Sequence, residues 1–205
     1  MKTLYLLRHG ATDWNATGQL NSTTDLDLSE QGRRDIQAIA PLVRALPLDH
    51  VFCSPRRRAL TTAQLLDLPV TVTVDDRLRE LDFGCFEGKT PQELAQNTAF
   101  QQWYREDNPI VPPTVESFEV VADRAQGFLT EIAGLAAGQY LAIAHGGLLR
   151  ILLCSGVLGM PATAYRRLKM ENGRLAAIVW EGDRPRLAGF NWGAPVLDRP
   201  LDGLH

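Results

Sequence analysis

Two short apolar runs, residues 3–7 and 140–144, limit what this chain can fold into more than any other feature. Neither alternates with polar residues. A strand built from either must therefore be covered on both faces, as in the interior of a parallel sheet flanked by helices. Each run stops abruptly, one at Arg8-His9-Gly10 and the other at His145-Gly146-Gly147. Sheets of this kind bind ligands just beyond the carboxyl ends of their strands. The same pattern thus points to an architecture and to the place where chemistry would sit.

Helix and strand signals alternate along the rest of the chain. Ser29 reads as an N-cap, and Ile36, Ile39, Ala40, Val43 and Leu46 follow at helical spacing before Pro47. Residues 50–53 make a second strand. Pro55 then stands where a helix's first turn tolerates proline, with Ala59, Leu60, Ala63 and Leu66 as the buried stripe. Val and Thr alternate over residues 70–74, a third strand. Thr90-Pro91-Gln92-Glu93 is a capping box, and Ser117 opens a long amphipathic helix carrying Phe118, Val121, Ala125, Phe128, Leu129, Ile132 and Leu135 on one face. A short apolar helix is expected over residues 148–154, and a closing hairpin from 175–180 and 187–190 around Gly182-Asp183. Residues 11–28, rich in Thr, Asn, Asp and Ser, read as a loop long enough to be functional. The expected fold is α/β: one domain over residues 1–205, a three-layer α/β/α sandwich with a mostly parallel central sheet and a small lid insertion over residues 83–117.

Composition narrows the function classes. The 205 residues are 45% hydrophobic, yet no apolar run approaches the roughly 20 residues that span a bilayer. The opening segment is too short for a secretory leader, so a cytoplasmic location is expected. A net charge of -3 gives no field for nucleic acid or an anionic membrane, and any anion site must be local. Cys53, Cys85 and Cys154 show no metal-ligand spacing and are expected to be reduced packing residues. His50 and His205 fall in no pattern.

The chemistry-bearing residues do form one. Two strand-end histidines, each followed by glycine, come with Arg8 before the first and Arg58 early in the helix after the second strand. Helix N-terminal amides, glycine backbone and guanidinium groups together describe an anion site. Leu7-Arg8-His9-Gly10-Ala11-Thr12-Asp13-Trp14-Asn15 resembles the R-H-G-x-T-x-W-N motif of the histidine phosphatase superfamily, the phosphoglycerate mutase-like and acid phosphatase-like enzymes. Cys53-Ser54-Pro55-Arg56-Arg57-Arg58-Ala59 with Thr62-Ala63 resembles its S-S-x-x-x-R-A-x-x-T-A, with cysteine for the first serine. Glu80-Leu81-Asp82-Phe83-Gly84-Cys85-Phe86-Glu87-Gly88 and Ala144-His145-Gly146-Gly147 complete the set in the family's order.

The resemblance implies a metal-independent phosphomonoesterase without cofactor. His9 would attack phosphorus and become a phosphohistidine, and Arg8, Arg58 and His145 would complement the charge on the transferring group. Glu80 would act as general acid and then base, while Glu87 would fix its loop. Asn15, Asn21, Ser22 and Gly146 would join Arg8, Arg58 and His145 in holding phosphate. The glycine that many members carry after the first motif is missing, with Ser22 near its place, and Pro112-Pro113-Thr114-Val115-Glu116-Ser117 departs from the family's P-P-G-G-E-S, a segment that usually lies near substrate. The chain is short where mutases carry extra lid sequence, which favours hydrolysis of a small phosphorylated metabolite, as in α-ribazole-phosphate phosphatase or broad-range enzymes. A cofactor-dependent phosphoglycerate mutase is the enzyme alternative, and a phospho-ligand binding or scaffold module the alternative of another class. The partners implied are a small phosphate ester and, as an option, a second copy in a homodimer.

Overall fold

The computed structural model describes residues 1–104, 109–182 and 184–193; Asp183 and His205 lie outside the described residues. Six strands form one sheet: β1 (Lys2–Arg8), β2 (His50–Cys53), β3 (Val72–Val74), β4 (Gly138–Ala144), β5 (Leu175–Glu181) and β6 (Arg184–Trp192), in the order β3-β2-β4-β1-β5-β6. The β1/β4, β2/β4 and β2/β3 pairs are parallel, and β5 pairs antiparallel with both β1 and β6. Only β5 runs against the rest, so the sheet is mostly parallel.

The two apolar runs become the two central strands, and their alternation feeds two cores. Leu4, Leu6, Ala142 and Ala144 face one side, with Tyr5, Leu7, Leu141 and Ile143 on the other. Against the second face pack α2 (Glu30–Arg44) and α3 (Arg57–Leu66), through Ile36, Val43, Ala59 and Leu66. The first face is covered by α6 (Phe118–Gly134) and α7 (Gly146–Ile151), through Phe118, Val121, Phe128, Leu148 and Leu149. Each such fully buried aliphatic or aromatic side chain contributes about 1.5–3 kcal/mol of transfer free energy, so the layering follows from the sequence pattern.

Several boundaries differ from expectation for physical reasons. Residues 11–28 are not all loop: Thr12 caps a short helix α1 (Asp13–Thr17), its hydroxyl and Asn15 forming a reciprocal capping box. Pro55 is not in the first turn of α3, because Arg56 is the N-cap and the helix starts at Arg57. The third strand is only Val72–Val74, exposed at the sheet edge. The helix expected over 148–154 begins earlier, with His145 as N-cap, and passes into a π-helical turn over Leu152–Val157. Cys53 and Cys154 are buried free thiols, but Cys85 is exposed.

The segment expected as a lid carries two short helices, α4 (Pro91–Ala95) and α5 (Thr98–Tyr104), and is rooted in the first core by aromatic packing. Trp103 is fully buried, stacked on Phe118 at 5.4 Å and on Phe86 at 5.5 Å. Among the described residues, no helix is long and apolar enough to cross a membrane.

The loop leaving β1 is clamped onto α2. Ala11 accepts from Ser29 N–H at 2.9 Å, and a Cβ added at Gly32 would stand 2.1 Å from the Ala11 carbonyl oxygen. Gly32→Ala gains about 1 kcal/mol in helix propensity. The contact is backbone against backbone, so an overpacking cost of about 3 kcal/mol outweighs this gain, and a net loss of roughly 2 kcal/mol is expected. Thermal unfolding checks this: the melting temperature should fall by about 5 °C or more, and a raised one would contradict the close approach.

Candidate active site

The β1–β4 register sets Arg8 opposite Ala144, and Cys53 sits opposite Ile143 in the β2–β4 pair. β1 and β4 end level and β2 one residue short of them, so His9, Ser54 and His145 emerge side by side. The pairing continues one step further through His9 N–H to the Ala144 carbonyl (3.0 Å) and Ser54 N–H to the Ile143 carbonyl (2.9 Å). The imidazole rings of His9 and His145 lie 5.0 Å apart, edge to face. Over them opens a cleft of about 570 Å³ whose walls include Arg8, His9, Asn15, Asn21, Glu80 and Gly146.

His9 Nδ1 lies 2.7 Å from the Gly10 carbonyl oxygen. A carbonyl only accepts, so Nδ1 carries the proton and Nε2 is left with its lone pair. Burial, reinforced by the charges of Arg58 and Arg8, holds the His9 pKa well below the usual histidine value. Near neutrality His9 is thus an uncharged imidazole with a fixed tautomer, the form a nucleophile requires. Arg8 donates to the Met170 carbonyl at 2.6 Å, and its guanidinium lies against Gly146, where a Cβ would meet Arg8 Cζ at 3.0 Å. Its buried Nε has no partner among the described residues. Burial lowers the pKa of Arg8 to about 10, and that of Arg58 likewise, so both stay cationic at neutral pH.

Arg58 and His145 are fully buried and stand behind His9 rather than in the cleft wall. Arg58 Nε donates to His145 Nδ1 at 3.2 Å, Nη1 to the Thr24 carbonyl at 3.2 Å and Nη2 to the Ser22 carbonyl at 2.9 Å. Because the guanidinium can only donate, His145 Nδ1 is unprotonated, and its Nε2–H donates to Ser54 Oγ at 2.7 Å. Burial, then the charge of Arg58, keeps the His145 pKa well below the usual value.

Glu80 is buried at the start of α7. One oxygen accepts from Leu148 N–H and Leu81 N–H, the other from Gly147 N–H, each at 2.9 Å. Gly147 has to be glycine for this, since a Cβ would come 2.5 Å from the Glu80 carboxylate. The backbone of residues 77–80 is held by Arg124, which donates to the carbonyls of Arg77, Arg79 and Glu80 and pairs with Glu116 at 3.1 Å.

Of the other expected phosphate ligands, Asn15, Asn21 and Gly146 line the cleft and Ser22 does not. The Ser22 hydroxyl is bound to the Glu87 carboxylate and accepts from Phe83 N–H at 3.1 Å. Glu87 also accepts from the backbone N–H groups of Ser22 and Thr24. Burial would raise the Glu87 pKa, but these bonds outweigh it and hold the carboxyl below its ordinary value. The Ser22 hydroxyl is thus spent on anchoring its loop to Glu87, whose carboxylate holds that loop by its backbone N–H groups. Residues 112–117 do not line the cleft either: Glu116 faces Arg124, and the Thr114 carbonyl packs against Gly84. Sequence reading missed Tyr104, Arg150, Lys169 and Asn172, which do. Arg150 alone carried a signal, lying one helical turn after Gly146, whose carbonyl accepts from its Nε at 2.6 Å.

The two buried histidines set a pH dependence whose sign follows from their depressed pKa values. Below about pH 6.5 the unfolded chain takes up protons that the folded chain refuses, so stability falls with falling pH by up to ~1.4 kcal/mol per pH unit for each histidine. Denaturant unfolding between pH 7.5 and 5.5 should show this slope, reduced in a variant carrying His9→Gln and His145→Gln. Equal slopes would mean that the folded protein binds those protons.

Residues 4–193 match the model of the histidine phosphatase superfamily, branch 1. A relative from Cronobacter sakazakii named "Probable phosphoglycerate mutase GpmB" is 32% identical over 188 residues, 88% of this chain and 86% of that protein. Among solved structures, the Entamoeba histolytica phosphoserine phosphatase in complex with 3-phosphoglyceric acid superposes with a TM-score of 0.85 at 26% identity, covering 94% of this chain and 98% of that one. The α-ribazole phosphatase of Shigella flexneri superposes with a TM-score of 0.81 at 26% identity, over 93% and 96%. With its two strand-end histidines on one site and residues 4–193 matched, this chain belongs to the histidine phosphatase superfamily.

Proposed function

We propose that the chain is a phosphomonoesterase that takes a phosphoryl group onto His9 Nε2 and passes it to water. The observation that carries this reading is the Nδ1–H bond to the Gly10 carbonyl, which leaves Nε2 as a neutral lone pair among guanidinium groups. Charge supports it too. Arg8, Arg150, Arg166 and Lys169 line the cleft with Glu80 and Glu171, so the lining stays net positive toward a phosphate monoester dianion even with both carboxyl groups ionised.

In the first step Nε2 forms a bond to phosphorus as the ester P–O bond breaks, and the departing oxygen takes its proton from Glu80. In the second, Glu80 accepts a proton from water as that water adds to phosphorus and the P–N bond breaks. Arg8, Asn15 and the Gly146 N–H serve the phosphoryl oxygens from the cleft side. Arg58 and His145 act from behind. The substrate class is a small phosphorylated metabolite, in line with the phosphoserine and α-ribazole phosphatase neighbours. The name of the Cronobacter sakazakii relative favours phosphoglycerate mutase as the second reading. The two part on whether phosphate is released.

Three measurements test this. Rapid-quench labelling should trap an acid-labile phosphoenzyme that His9→Ala lacks; label retained in that variant would reassign the nucleophile. Phosphate release from small esters should greatly exceed interconversion of 3- and 2-phosphoglycerate, and the reverse would install the mutase reading. Glu80→Gln should slow alkyl phosphates by ~100-fold while p-nitrophenyl phosphate still gives a burst of about one equivalent. Equal losses on both esters with no burst would remove Glu80 from proton transfer.

A further inference from the structure

Asn15 has a side-chain oxygen crowded by donors. Its Oδ1 accepts from Thr12 N–H at 2.9 Å, from the Thr12 hydroxyl at 3.2 Å and from Asn172 Nδ2 at 3.2 Å. A backbone N–H cannot accept, so the amide orientation is fixed by chemistry: Oδ1 faces Thr12 and Asn172, and Nδ2 is left to the cleft. Asn172 is fixed the same way, because its Nδ2 also meets the His9 carbonyl oxygen at 3.1 Å, which can only accept. One amide group thus spends both of its hydrogens holding the nucleophile's own carbonyl and the Asn15 amide.

The turn that carries Asn172 is itself tied to the nucleophile strand. Gly173, at φ +66°, donates its N–H to the carbonyls of Arg8 (3.0 Å) and His9 (3.2 Å), while Arg8 N–H donates to the Arg174 carbonyl (3.1 Å). Positive φ is most readily adopted by glycine. Asn172 is therefore presented from a rigid turn, not from a wandering loop. Asn172 stands in none of the four motifs in the sequence.

We propose that Asn172 is a positioning residue: it locks the Asn15 amide so that Nδ2 is permanently aimed as a donor at the transferring phosphoryl group. The proposal rests on the reading above in which Asn15 donates to phosphate. Without Asn172, Asn15 keeps its Thr12 contacts but loses the third donor that opposes rotation, and the donor is no longer preorganised for the anion.

Asn172→Leu, nearly isosteric and uncharged, and Asn172→Ala, smaller and without overpacking risk, test it in wild-type and Asn15→Ala backgrounds. The readouts are kcat/KM on a small alkyl phosphate and competitive inhibition by vanadate. In the wild-type background either variant should lower kcat/KM and weaken vanadate by about tenfold, the scale of one hydrogen bond to a charged group. In the Asn15→Ala background the further loss should be less than about twofold, because the residue acts through Asn15. A full tenfold loss in both backgrounds overturns the proposal, since Asn172 would then act through the His9 carbonyl alone. No loss in either background overturns it as well. If Asn15→Ala itself matches wild type, the proposal falls with Asn15's role in phosphate binding, while a phosphoenzyme that depends on His9 would leave the phosphohistidine reading standing.

Discussion

The pairing of β1 with β4 is the interaction on which the rest of the site depends. Seven paired residues run from Lys2 opposite Gly138 to Arg8 opposite Ala144. The ladder brings together two segments more than 130 residues apart in sequence and ends them at one level. A slip of one residue would turn every side chain to the other face. Leu4 and Leu6 would then exchange cores with Tyr5 and Leu7, and that cost in burial is what fixes the positions of His9 and His145. The packing of the two apolar layers thus sets the geometry of the polar site between them.

Three charges of the site, those of Arg58, Glu80 and Glu87, are held by backbone groups more than by side chains of opposite charge. Arg58 is satisfied by two carbonyls and an imidazole, Glu80 by three N–H groups, and Glu87 by N–H groups of the loop it anchors. Direct pairing of Arg58 with a carboxylate would cancel the field that a phosphate dianion feels. Carbonyl partners satisfy the donors and leave the charge in place. Positive charge beside both histidines adds to burial in disfavouring their protonation, so the arrangement that concentrates positive charge at the site also keeps both imidazoles neutral.

The fold was legible because each central strand announces itself by composition, and capping signals at Ser29, Thr90 and Ser117 mark helix starts that the structure reproduces. Elements governed by other forces were not legible. The α1 helix is too short for hydrophobic periodicity and rests on the Thr12–Asn15 box alone. The π-helical turn after Ile151 carries no capping side chain or breaker residue at its start that would mark it in the sequence. At the site, local motifs marked His9, Arg8, Glu80, Arg58 and His145. They could not show that Ser22 turns to Glu87, since this depends on a contact 65 residues away. Asn172 escaped notice because its partners lie 157 and 163 residues off, with nothing beside it in sequence to place its turn at the cleft.

The carbonyl cradle of Arg58 has an evolutionary consequence. Residues 22 and 24 hold the guanidinium through their main-chain oxygens, which every amino acid possesses. The neighbouring positions 19, 20 and 21 line the cleft where the leaving group would rest. Mutation there can reshape what the enzyme prefers without disturbing how the phosphoryl group is moved, provided the backbone path survives. A lineage built on this scaffold can diversify its substrates by point changes in one loop, with the chemistry insulated from the experiment.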